Sequence, residues 1–137
     1  MRVMVFGKAT EDTEKSGASV SPEEFEAMEK FIGELVNAGV LLDAAGLMPS
    51  SKGKRIVLDG ASRTVIDGPF AETRELIAGY MLWEVKDMDE AVAWAKRSPS
   101  PASGRSEIEI RPLGMMETVE ESPAPETKET RYRIHEV

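Results

Sequence analysis

The residues best equipped for chemistry gather around one short stretch, Asp67-Gly68-Pro69-Phe70-Ala71-Glu72, and the apolar run that follows it. Asp67, Glu72 and Arg74 are ionisable, and the run bears Tyr80, Trp83 and Glu84. A carboxylate beside aromatic rings can hold a cation, or act as a general base where burial raises its pKa. In that scheme Asp67 or Glu72 is the base and Arg111 anchors an anionic group. The same residues also make a good turn. The Asp67 carboxylate can accept from backbone amides just ahead of it, as in an Asx turn. Pro69 keeps Gly68 out of the helical region. Phe70 plugs an apolar site, and Glu72 faces the start of a short turn over 73–76. Turn chemistry accounts for every residue of the motif, so the motif alone does not imply catalysis.

Other chemistries have less support. Cysteine is absent, which excludes disulfides, thiol nucleophiles and thiolate metal sites. The one histidine, His135, stands near the end of an acidic tail, where a solvated side chain is expected. A metal site would have to be all oxygen, and most of the acids fall on the outer faces of helices, so no metal and no cofactor are expected. No Gly-x-Ser-x-Gly elbow occurs, and the stretch at 7–12 lacks the glycine framework of a phosphate loop. The net charge of -8 and the pI near 4.8 oppose binding to nucleic acid or to an anionic membrane. No apolar run approaches the roughly 20 residues of a membrane span, and the N-terminal apolar run is too short for a signal peptide. A cytoplasmic location is the resulting expectation. Hydrophobic residues at 41% and charged residues at 31% describe a globular chain with one ordinary core.

The elements that must position these groups can be read from periodicity. Residues 2–6 form a short apolar strand, and 7–20 a long polar loop. Ser21-Pro22-Glu23-Glu24 begins a helix with a cap, a proline at the first turn and a capping-box glutamate. Phe25, Met28, Ile32, Leu35 and Val36 recur on its apolar side, and Gly39 suits a left-handed cap. A second strand runs from 40 to 48, with a bulge expected at Gly46 and an end at Pro49. Segments 55–58 and 63–66 form a hairpin turned at Asp59-Gly60. Segment 76–85 is a central strand, with Ile77, Gly79, Met81, Trp83 and Val85 on one face and Ala78, Tyr80, Leu82 and Glu84 on the other. Tyr80, Trp83 or both should face away from the helices. Asp87-Met88-Asp89-Glu90 caps a second helix carrying Met88, Ala91, Val92, Ala95 and Trp94, and 106–113 is the last strand. Residues 118–137 are an acidic tail.

Without the hairpin, this order is βαββαβ, a ferredoxin-like α+β arrangement with an inserted β-hairpin. Right-handed crossovers put both helices on one sheet face. The other face bears apolar residues that nothing in the chain covers, so a homodimer packed sheet to sheet is expected.

The segment TVIDGPFAETRELIAGYMLWEVKDMDEAVAWAKR resembles the DGPF-domain group of the YCII-related family. SPEEFEAMEKFIGELVNAGVLLDAAGLMPSS is similar to the helix and strand that precede it there, and EIEIRPL to the closing strand. The resemblance covers residues 1–117 and rests on the linked DGPFAE, GY and EIRP elements. It implies a dimeric α/β-barrel with a cleft between sheet and partner. Some members are similar to small-molecule lyases and carry a His and Asp pair in the cleft. This chain has no His in its first helix, so that pair is not apparent. The group is also associated with extracytoplasmic-function sigma factors, which implies a regulatory link. The resulting expectation is a homodimer binding a small molecule in a cleft that includes Asp67, Gly68, Pro69, Phe70, Tyr80, Trp83 and Arg111. The alternatives are a cofactor-independent, lyase-like enzyme using Asp67 or Glu72, and a module that touches a sigma factor through its acidic tail or first helix.

Overall fold

A computed structural model describes residues 1–15, 21–71, 75–100 and 105–114. Glu72, Arg74, His135 and the tail expected over 118–137 lie outside the described residues. Strand β1 (Arg2–Lys8) buries Val3 and Val5 and turns Arg2, Met4 and Phe6 to its other side. Where the sequence predicts a loop from 7 to 20, β1 continues through Lys8, and a short helix, α1 (Glu11–Glu14), follows. Thr10 and Thr13 hold that turn: each hydroxyl accepts the other residue's N–H, at 3.2 and 2.8 Å. The Ala9 N–H donates to Leu76 O at 2.9 Å and ties the segment to the strand region beyond.

Helix α2 (Pro22–Asn37) starts as its sequence requires. The Ser21 hydroxyl accepts the Glu24 N–H at 3.1 Å, and Pro22 stands where no amide partner is lost. The helix ends at Gly39, whose φ of 73° is the left-handed conformation that glycine adopts without penalty. Its buried face differs from the expected stripe. Phe31 and Leu35 are buried with Met28 beside them, whereas Phe25 and Val36 are 59% and 55% exposed. Both stripes have helical spacing, and the neighbouring sheet selects the one centred on Phe31.

Strand β2 (Leu41–Gly46) precedes a 3-10 turn (Ser50–Lys52), and β3 (Lys54–Asp59) and β4 (Ser62–Asp67) then pair as a separate two-stranded sheet. Gly60, with φ of 60°, begins the two-residue loop between β3 and β4. β5 (Ile77–Glu84), α3 (Met88–Ala95) and β6 (Ile108–Pro112) complete the elements of the described residues. The main sheet has the order β2-β5-β1-β6 with every neighbouring pair antiparallel, an α+β arrangement compatible with a ferredoxin-like fold. The bulge expected at Gly46 falls elsewhere: the β2–β5 register shifts between Leu41 and Asp43, and Gly46 pairs regularly with Gly79. Gly79 lets the two strands approach closely, since a Cβ there would lie a tight 3.0 Å from Ala45 O.

The core sits between the sheet and both longer helices. Val3, Val5 and Trp83 from the sheet meet Phe31 and Leu35 of α2 and Ala91 of α3. Trp83 is 1% exposed, and its ring meets Phe31 edge-on at 6.4 Å between centroids. Asp87 caps α3 by accepting the Glu90 N–H at 2.9 Å. Arg97 bonds Glu34 at 2.6 Å and lies 4.4 Å over the Trp94 ring, fastening α3 to α2. No helix among the described residues is long and apolar enough to cross a membrane.

Candidate functional site

The turn at Asp67 to Phe70 sits where β4 ends, folded against the 3-10 turn. The Gly68–Pro69 peptide is cis. The Gly68 N–H donates to Gly53 O at 3.0 Å. A Cβ at Gly68 would lie 1.8 Å from Ser50 O, so this position admits no side chain without moving backbone. The Phe70 N–H donates to Ser50 Oγ at 3.1 Å, and Ser50 Oγ donates onward to Glu14 Oε1 at 2.5 Å. Ser50 N–H reaches the same carboxylate, 3.1 Å from Oε2. The Arg55 guanidinium lies 3.9 Å from the centre of the Phe70 ring. Thus α1, the 3-10 turn, the start of β3 and the motif are fastened at one place.

Asp67 stands apart from that cluster. Its carboxylate meets the Lys54 ammonium at 2.5 Å, across the last pair of the β3–β4 ladder, and the two side chains are 74% and 65% exposed. The partner is an ammonium ion in place of the expected turn amides, because the ladder register sets Lys54 directly opposite Asp67. A solvated pair of this kind contributes about 0–1 kcal/mol.

The second group of candidates lies on the sheet face away from the helices. Registers place Asp43, Leu82, Met4 and Arg111 in one row across β2, β5, β1 and β6. The next row is Ala45, Tyr80, Phe6 and Glu109. The first row is apolar in the middle with charge at both edges, and the second carries charge only at Glu109. The Tyr80 hydroxyl donates to Asp43 Oδ2 at 3.0 Å. That hydrogen bond, and then the carboxylate's charge, raise the phenol's pKa above its usual value. At the far edge Glu109 meets Lys8 and Arg111, both at 3.2 Å. Hydrogen bonds from Lys8 and then Arg111 hold its carboxyl below the usual range. Glu84 likewise receives Arg2 at 2.8 Å and the Met1 amino group at 3.0 Å, and the Arg2 bond leads in lowering its pKa.

Of the expected cleft residues, Tyr80 and Arg111 thus share the open face. Gly68 and Phe70, on either side of Pro69, meet Ser50 of the 3-10 turn, which follows the Gly46 and Gly79 end of the β2–β5 pair. Trp83 lies on the opposite face, in the core beneath α2. Sequence reasoning missed Glu14, Ser50 and Asp43. The spacing of Thr10 and Thr13 is a local cap pattern that could have revealed the helix carrying Glu14. Ser50 and Asp43 carry no such mark. Among the described residues no cluster of three or more His, Cys, Asp or Glu could hold a metal ion. A wide depression of about 520 Å³ lies between α3 and β6, bordered by Val92, Lys96, Arg105 and Ile110. None of the expected site residues borders it.

Comparison with known proteins relates the chain to one family. An uncharacterized protein of Rhizobium meliloti (strain 1021) is 32% identical over 80 residues, a match covering 58% of this chain. The match spans 64% of that protein's own length. The YCII-related domain matches residues 1–114, a span that includes every described residue. The chain belongs to the YCII-related family.

Proposed function

We propose that this protein acts as a homodimer, two open sheet faces packed together as a dimeric α/β-barrel, and that the cleft between them binds a small organic molecule. One observation carries this. The face bearing Met4, Phe6, Tyr80 and Leu82 is apolar at its centre, and α2 and α3 both pack on the other side. Within one chain these four side chains are only half-buried, and an apolar sheet face of this kind is ordinarily buried against another layer. The carboxylate of Asp43 at one edge and the guanidinium of Arg111 at the other give the cleft a hydrogen-bond acceptor and an anion anchor. These suit a small ligand with an apolar body and one acidic group.

A binding role is favoured over catalysis by Asp67. A general base active near neutral pH is ordinarily buried, whereas Asp67 is solvated and paired with Lys54. Sedimentation velocity tests the assembly, and a thermal-shift screen of small organic acids tests the cleft. The expected result is a dimer at micromolar concentration, with a stabilising acid whose effect is lost in Arg111→Met and reduced in Tyr80→Phe. A chain that stays monomeric, or ligands insensitive to both substitutions, would sink the proposal.

A further inference from the structure

We propose that the β3–β4 hairpin is a docking arm that clasps a second copy of this chain. The inference rests on the homodimer reading and adds to it a contact outside the sheet face.

Every residue of β3 and β4 is exposed, on both sides of the ladder. Of the thirteen large hydrophobic side chains exposed among the described residues, eight fall between Leu42 and Ile66, so the uncovered apolar surface is concentrated in and around this arm. One side of the arm carries Ile56, Leu58 and Val65, which are 54%, 67% and 58% exposed. The other side carries Val57 and Ile66, each 43% exposed. A lone two-stranded hairpin is marginal in water. This one keeps an unbroken register over six pairs while leaving its aliphatic residues in solvent.

The arm is also aimed. Its root is fastened by Gly68 against Ser50, by the Phe70–Ser50–Glu14 hydrogen bonds and by Arg55 on the Phe70 ring. A held root presents the arm in one direction, which lowers the ordering cost of docking.

Charge identifies the occupant. Residues 50–67 hold four cations (Lys52, Lys54, Arg55, Arg63) against two carboxylates (Asp59, Asp67), a net of +2. The whole chain carries -8, which leaves -10 on the remainder. A basic arm on an acidic body suits another copy of the same acidic body, and two-fold symmetry forms the contact twice. The exposed aliphatic patch is on the order of a few hundred Å², below the about 800 Å² per partner of a stable interface. The arm therefore supplements the sheet-face contact.

The chain has no cysteine, so Leu58→Cys introduces a single thiol for a photo-crosslinker. The full-length variant is mixed as light and isotope-heavy copies, and crosslinked peptides are mapped by mass spectrometry. Sedimentation is measured in parallel for wild type, Leu58→Asp/Val65→Asp and the sheet-face variant Leu82→Lys, with far-UV circular dichroism to confirm folding. The expected result is light-to-heavy crosslinks from position 58 and a dimer dissociation constant at least about tenfold weaker in the arm variant. If Leu82→Lys dissociates the dimer while the arm variant does not, or if crosslinks stay within one copy, the arm proposal is overturned and the homodimer stands. If wild type is monomeric, both fail.

Discussion

Gly68→Ala tests whether the motif is a structural joint. The added Cβ would stand 1.8 Å from Ser50 O, 2.7 Å from Ser50 C and 3.3 Å from Ser51 Cα. These are backbone atoms, so no rotamer change relieves the clash and the turn must shift by more than an ångström. A shift of that size breaks the Gly68–Gly53 and Phe70–Ser50 hydrogen bonds and lifts Phe70 from Arg55. At about 1 kcal/mol for each hydrogen bond and about 0.5–1 for an exposed cation–π contact, the loss is about 2.5–3 kcal/mol. The assay is urea unfolding at neutral pH, followed by tryptophan fluorescence and far-UV circular dichroism, with the slope compared to confirm an unchanged transition. Gly53→Ala is the control, because its Cβ would meet Ser50 O at an ordinary 3.5 Å and its backbone is extended, so it should cost under about 1 kcal/mol. If Gly68→Ala unfolds within about 0.5 kcal/mol of wild type, the joint is not what the packing says it is.

Three further outcomes follow from the same contacts. In a double-mutant cycle of Glu14→Gln and Ser50→Ala, urea unfolding should give a coupling of about 1–2 kcal/mol, because the Ser50 hydroxyl that the variant removes donates to the Glu14 carboxylate. Glu84 and Glu109 have folded pKa values below the ordinary 4.5. Their stabilisation is therefore present above that value and lost as pH falls through the folded values, so Glu84→Gln with Glu109→Gln should flatten the acid side of a melting-temperature profile. The Tyr80 phenol is raised above 10.0, so its contribution is complete below that pH and disappears as pH rises through the folded value. Absorbance titration of Asp43→Asn should move the Tyr80 midpoint back toward 10.0.

What the sequence disclosed was mostly local. Ser21 and Asp87 were legible as caps because a cap acts over three residues. The alternation in β5 separated Tyr80 from Trp83 correctly, but not which face the helices would take, since both faces are apolar. Phe25 and Phe31 show the limit: helical spacing admits either in a buried stripe, and only the sheet beneath α2 chooses. Asp67 was readable as a strand exit, yet its partner comes from a ladder register that no local pattern states. The link from Glu14 to Ser50 spans 36 residues between two ordinary polar side chains. It exists only after the chain has folded.

The place of β1 in the sheet governs when the protein can fold. Its two neighbours are β5 and β6, with Arg2 opposite Glu84 and Val3 opposite Pro112. Both edges of β1 are therefore satisfied only once β6, at the far end of the described residues, has been made. Loop closure over such separations is slow, whereas the β3–β4 hairpin can form alone in about 1–10 μs. During that interval the nascent chain exposes an early aliphatic hairpin, with no completed sheet beside it, to every other copy nearby. Refolding yield should fall steeply with protein concentration.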